Sequence, residues 1–198
     1  MRLASWQWGG RDHVGTISAD GREATPLACR DASLGTLPLI RALARGEDLP
    51  APSGTRLPGA AVSLQIDYEA ELAVVIGRAG RNISRARAMD HVFGYTIVND
   101  VTARDVQVRH LQWDLGKSFD TFCPMGPWIV GADALDGRDV RVRSWVTPKG
   151  GEPELRQDGH TRDMIFDIPT LIETCSRGIT LLPGDVIATG TPAGVGMG

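Results

Sequence analysis

The chain has no run of lysine or arginine, no long apolar stretch and only three cysteines. Its basic residues are scattered and its formal net charge is −3. Nucleic-acid phosphates are gripped by clustered positive charge, so a nucleic-acid binder is excluded. A helix that crosses a membrane needs about 18 or more apolar residues in a row, and none are present. Met1 to Trp8 also lack the apolar core of a signal peptide. Cys29, Cys123 and Cys175 are odd in number and far apart, which fits neither a disulfide framework nor a zinc site. Free thiols in a reducing cytoplasm are the expected state. His13, His91, His110 and His160 show no ligand spacing such as H-x-x-x-H, so each reads as structural or exposed. No internal repeat and no low-complexity tract is present.

What remains is a globular composition, 42% hydrophobic and 23% charged, with enough residues for one ordinary domain and a small appendage. The most informative stretch is 64–76. Leu64, Ile66, Tyr68, Ala70, Leu72, Val74 and Ile76 are all apolar, while Asp67, Glu69 and Glu71 stand on the odd positions between them. Side chains of a strand alternate between faces, so this pattern predicts one half-buried strand. Glu69 and Glu71 then share a face about 6.6 Å apart at ~3.3 Å per residue. Two carboxylates held that way suit a hard divalent cation; a solvated acidic face is the other reading of the same residues.

Residues 1–48 read as a small N-terminal domain, with a strand from Val14 to Ile17, a turn at Asp20-Gly21 and helical spacing from Leu34 to Ala44. The Pro- and Gly-rich residues 49–61 read as a linker, and 62–198 as the main domain. Within it, Ser84 is placed as the N-cap of a helix through Val92, and Tyr95 to Val98 as a short strand. Residues 101–112 are placed as a helix, and Trp128 to Val130 and Val140 to Val146 as strands. Lys149-Gly150-Gly151 marks a turn. Asp167 opens a last helix, which Gly178 stops at C′. Pro183-Gly184-Asp185 turns the chain into a final strand. Many short strands with few helices predict a β-rich α+β fold.

Singly, the chemical signals are modest. Asp100 ends a strand, where side chains are held rigidly at a rim, or it is an ordinary turn residue. Lys117, between Trp113 and Phe119, is a surface residue or a partly buried cation for an anionic substrate. Gly190-Thr191-Pro192 is a plain loop or one whose N–H groups face an anion.

The set in order is specific. Asp67-Tyr68-Glu69-Ala70-Glu71 through Gly77, Gly94 through Asp105, Gly116-Lys117-Ser118-Phe119-Asp120, Pro124-Met125-Gly126-Pro127 and Gly184 through Pro192 closely resemble the fumarylacetoacetate hydrolase family. The resemblance runs almost continuously over 62–198. It implies a mixed β-sandwich roll, usually dimeric, that holds Mg²⁺, Mn²⁺ or Ca²⁺ in a cleft. By motif position the metal ligands would be Glu69, Glu71 and Asp100. Lys117 would stabilise negative charge as the catalytic residue. Arg104 and Gln107 would reach the substrate or its surroundings, Thr191 would hold a substrate carboxylate, and Thr121 would help close the metal end. The substrates implied are small 2-oxo or 2,4-dioxo acids. Hydrolysis of a C–C bond in an acylpyruvate or fumarylpyruvate leads. Isomerisation or decarboxylation of a 2-oxo or 2-hydroxy-dienoic diacid in aromatic breakdown is the alternative, and an inactive metal-binding relative is the second.

Two features depart from the family pattern. Nothing in residues 45–62 matches the lid pattern N-Y-x-x-H-x-x-E that carries the hydrolases' general base, and the family continues with further strands beyond the point corresponding to Gly198. Either this relative lost its base, or lid and tail residues are absent from these 198; the second is the expectation.

Overall fold

A computed structural model describes residues 65–109 and 112–197 in full, together with the backbone of strands β1 (Arg2–Trp8), β2 (Arg11–Ile17) and β3 (Ala24–Pro26). The helix expected at Leu34–Ala44, the 49–61 linker, the lid segment and Cys29 lie outside the described residues.

The β-rich α+β expectation holds. Its largest element is an antiparallel sheet of seven strands among the described residues, ordered β11-β5-β6-β8-β1-β2-β3. Here β5 is Ala70–Ile76, β6 Val92–Asn99, β8 Met125–Gly131 and β11 Val186–Ala188. Strand β1 pairs with β8 at Arg2↔Val130, so strands β1 to β3 extend the same sheet that carries the acidic motif. Two small pairs complete the strands: β4 (Ile66–Asp67) with β7 (Thr102–Ala103), and β9 (Arg141–Val146) with β10 (Glu154–His160).

The strand expected at 64–76 differs in two ways. It is broken at Tyr68–Glu69 into β4 and β5, and β5 is buried on both faces rather than one. Strand β5 lies inside the sheet, between β11 and β6. Its even residues Leu72, Val74 and Ile76 enter a core with Tyr95, Ile168 and Ile172. Its odd residues Ala73 and Val75 are fully buried as well. The break follows from hydrogen bonding: Glu69 N–H donates to the Asn99 side chain (2.9 Å) instead of to a ladder carbonyl.

The helix expected at 101–112 is also shorter. Thr102 and Ala103 extend to pair with Asp67 and Ile66, and only Arg104–Gln107 is helical. The segment after Ser84 is a 3₁₀ helix, Arg85–His91, and Ser84 makes no side-chain cap. Helix Ile168–Cys175 has the expected cap, Asp167 accepting from Thr170 N–H at 3.0 Å. Its C-cap is Ser176, so the left-handed Gly178 (φ 80°) falls one residue beyond C′. Strand β10 had no counterpart in the sequence reading, because its Glu154-Leu-Arg-Gln-Asp-Gly-His160 run is too polar to read as a strand.

Candidate metal centre

Strands β5 and β6 form a hairpin whose open end gathers the acidic side chains. Ala70 pairs with Asn99, and Asp100 N–H donates to the Glu69 carbonyl at 2.9 Å. Glu69 in the break, Glu71 in the strand and Asp100 just past β6 therefore converge. Each offers a carboxylate oxygen, and these oxygens all lie within 4.8 Å of one another.

Cations and N–H groups hold this cluster. Lys117 Nζ donates to Glu69 Oε2 (2.9 Å), to Thr102 Oγ1 (3.0 Å) and to Asp100 Oδ2. It arrives on the 3₁₀ helix Asp114–Lys117, which approaches helix Arg104–Gln107 so closely that a Cβ on Gly116 would lie 3.0 Å from the Gln107 backbone. Glycine is what permits that approach. Burial would lower the Lys117 pKa, but the bonds to Asp100 and Glu69 hold it above the usual lysine range. Arg104 donates to Glu69 Oε1 (2.8 Å), to Asp67 Oδ2 (2.8 Å) and to Gln107 Oε1 (3.0 Å). Asp67 in turn accepts from Gly196 N–H (2.7 Å) and Met197 N–H (3.1 Å). Burial raises the Asp67 pKa, yet Arg104 and the N–H groups of Gly196 and Tyr68 outweigh it, so the carboxyl sits below its ordinary value. Glu71 is the most deeply placed of the three. It is 4% exposed, and its Oε2 accepts from Gly190 N–H at 2.7 Å. Burial, then the charges of Asp100 and Glu69, push its pKa up to about 7 against the pull of Gly190 and Lys117.

The donor set suits a hard divalent cation. All three ligating groups are oxygen donors, and an ionised carboxylate has about four lone-pair sites. Bonds from Lys117 and Arg104 leave acceptor sites on Glu69. The like-charge repulsion that raises Glu71 is what a divalent ion relieves.

The other sequence candidates sit variously. Arg104 joins the cluster through Glu69, and Gln107 joins it through Arg104. The Thr191 hydroxyl donates to the Ala70 carbonyl (3.0 Å) and accepts from Gln157 Nε2 (2.6 Å), so it anchors the loop that brings Gly190 to Glu71. Thr121 is exposed in left-handed backbone (φ 70°), outside this bonded set. His91 bonds the Arg78 carbonyl and His160 lies beside Asp139, both as structural or exposed residues. Asn99, Thr102 and Gln157 were not singled out. Asn99 and Thr102 lie within the quoted motif, whereas Gln157 gave no signal, since a polar strand residue reads as solvent-facing.

The sequence matches the family described as "Fumarylacetoacetate (FAA) hydrolase C-terminal" over residues 14–198. The oxaloacetate tautomerase YisK of Bacillus subtilis is 58% identical over 137 residues, which cover 69% of this chain and 44% of that protein. The chain spans about half the length of the curated relatives it matches. Among solved structures, the fumarylacetoacetate hydrolase of psychrophilic Exiguobacterium antarcticum is 34% identical, with a TM-score of 0.76 over 100% of this chain and 89% of the other. The 2-hydroxyhepta-2,4-diene-1,7-dioate isomerase of Mycobacterium marinum is 46% identical, with a TM-score of 0.62 over 69% of this chain and 51% of the other. With the acidic hairpin end, its lysine and the loop at 190–192 all on the matched stretch, the chain belongs to the fumarylacetoacetate hydrolase family.

Proposed function

We propose that this chain carries the catalytic centre of a divalent-metal-dependent enzyme that forms the enolate of a small 2-oxo acid, with keto–enol tautomerisation as its reaction. The observation that carries this reading is the oxygen-only trio of Glu69, Glu71 and Asp100 with the Lys117 ammonium against it. The named activity of the tautomerase at 58% identity supports it.

A divalent ion held by the three carboxylates would act there as a Lewis acid toward the keto oxygen of the substrate. The chain's own residues do the rest. Lys117, hydrogen-bonded to Asp100 and Glu69, places a positive charge beside the point where enolate charge develops. Arg104 aims Glu69 through a 2.8 Å ion pair, with Asp67 and Gln107 locking the guanidinium in place. Thr191 holds the loop at the rim, where a substrate carboxylate would meet backbone N–H groups. Tautomerisation needs a proton moved between carbon and oxygen and no activated water.

A second reading is hydrolytic C–C cleavage of an acylpyruvate or fumarylpyruvate. The likeness to a hydrolase over the full chain favours it, and it runs through the same enolate with an added water. One assay separates the two. The full chain, with Mg²⁺ or Mn²⁺ and with chelator, is given oxaloacetate, followed by its enol absorbance, and acetylpyruvate, followed by pyruvate release. Metal-dependent enol–keto exchange without pyruvate release is the expected result. Pyruvate release would establish the second reading, and no metal-dependent turnover of either would overturn both.

A further inference from the structure

We propose that Gln157 is a positioning residue whose side-chain amide sets the width of the gap between the three carboxylates, and with it the preference among divalent cations. The inference rests on the metal-dependent reading above and deepens it.

Gln157 is 0% exposed, and burying an amide is costly unless each polar atom finds a partner. All of its capacity is used. Oε1 accepts from Ala70 N–H (3.1 Å) and Ser144 Oγ (2.9 Å), while Nε2 donates to Thr191 Oγ1 (2.6 Å) and the Pro192 carbonyl (2.9 Å). An amide offers two donors and two acceptor sites, so this one is saturated and can take only one orientation.

Its partners are the supports of the cluster. Ala70 is the residue between Glu69 and Glu71, at the point where the strand resumes after its break. Thr191 and Pro192 follow Gly190, whose N–H holds Glu71 Oε2. One buried side chain thus ties together the backbone between two ligands and the loop that fixes the second.

The strand is built to deliver it. The β9–β10 register shifts between Leu155 and Gln157, leaving Arg156 as an extra residue, and such bulges re-aim a side chain. The loop is seated on that bulge: a Cβ on Gly194 (φ 104°) would lie 1.9 Å from the Arg156 carbonyl oxygen, and one on Gly159 would lie 2.5 Å from Pro192 Cβ. Neither contact involves the amide, so both are independent signs that β10 is the seat of the Gly190–Gly196 loop.

The test measures binding of Mg²⁺ and Ca²⁺ alone by calorimetry to the full chain, to Gln157→Met and to Ser144→Ala. Mg²⁺ demands near-ideal octahedral geometry whereas Ca²⁺ tolerates looser sites. Partners of this outer kind change metal affinity by about 10–100-fold. The expected result for Gln157→Met is therefore a loss of Mg²⁺ affinity in that range with a smaller loss for Ca²⁺, so that the Mg²⁺/Ca²⁺ ratio falls about tenfold. Ser144→Ala, which removes one of the four bonds, shifts the ratio the same way by less. An unchanged ratio in a Gln157→Met protein that melts cooperatively would overturn the inference. Should that variant not fold, an unchanged ratio in Ser144→Ala does so by itself. Absence of binding to the unaltered protein would instead overturn the metal-dependent reading, and this inference with it.

Discussion

Lys117 reaches two carboxylates of the cluster at once, Glu69 Oε2 and Asp100 Oδ2, so its ammonium competes with a cation for the same oxygens. Lys117→Met should cut turnover by about 10²–10³-fold, the usual effect of removing one charge-stabilising donor. Metal affinity measured by calorimetry should stay level or tighten; a parallel loss of both would refute the role assigned to Lys117. Glu71 sets the pH dependence. Its pKa rises from 4.5 to about 7, chiefly by burial and then through Asp100 and Glu69. A raised value favours the protonated form, so the stability linked to that proton is full below 4.5 and lost as pH climbs through about 7. In chelator, the melting temperature should fall between pH 5 and pH 8, and Glu71→Gln should flatten the slope. Because the ligand must be ionised to bind metal, Mg²⁺ affinity should rise with pH up to about 7 and then level off. A flat profile in both measurements would count against the assignment.

At the level of elements, side-chain chemistry redirects the backbone at the places that matter. The Asn99 amide replaces a ladder partner for Glu69, which parts β4 from β5 and turns Glu69 inward beside Asp100. Alternation along 64–76 shows an acidic face but is silent about such a break, because it counts side chains and not the partners of backbone N–H groups. The start of helix Ile168–Cys175 is readable in the sequence, since it depends on a local bond. Asp167 is held below its ordinary pKa by the Thr170 hydroxyl first, then by Thr170 N–H and Arg85. Stability from a lowered carboxyl is present above its unfolded value of 3.8 and is lost as pH falls through the folded one. Asp167→Ala should cost about 1 kcal/mol at neutral pH, measured by denaturant melting, and the difference should shrink in acid. A cost that persists unchanged at low pH would show that the cap is not electrostatic.

Across the whole molecule, the seven-stranded sheet joins the N-terminal strands to the acidic hairpin through the β1–β8 pairing. Among the described residues no helix is long and apolar enough to cross a membrane. The carboxylates are gathered from strands with distant neighbours in sequence, so a bound ion that bridges them stabilises the fold as a unit. Mg²⁺ at about 100 times its dissociation constant should add ~2.7 kcal/mol to stability, read as a rise in melting temperature that chelator reverses. Asp100→Asn should lose most of that rise while melting cooperatively; a rise retained in full would place the ion elsewhere.

Some of this followed from order along the chain. The two glutamates two residues apart, the strand-end aspartate, the capped last helix and the β-rich class all express neighbours at short separation, where alternation and capping operate. The lock on Arg104, the double burial of β5 and the seat of the 190–196 loop on β10 came from contacts between residues far apart in the chain. Gln157 is the clearest instance. On its own strand it is one polar residue among several, and only folding surrounds it with four groups that hydrogen-bond its amide.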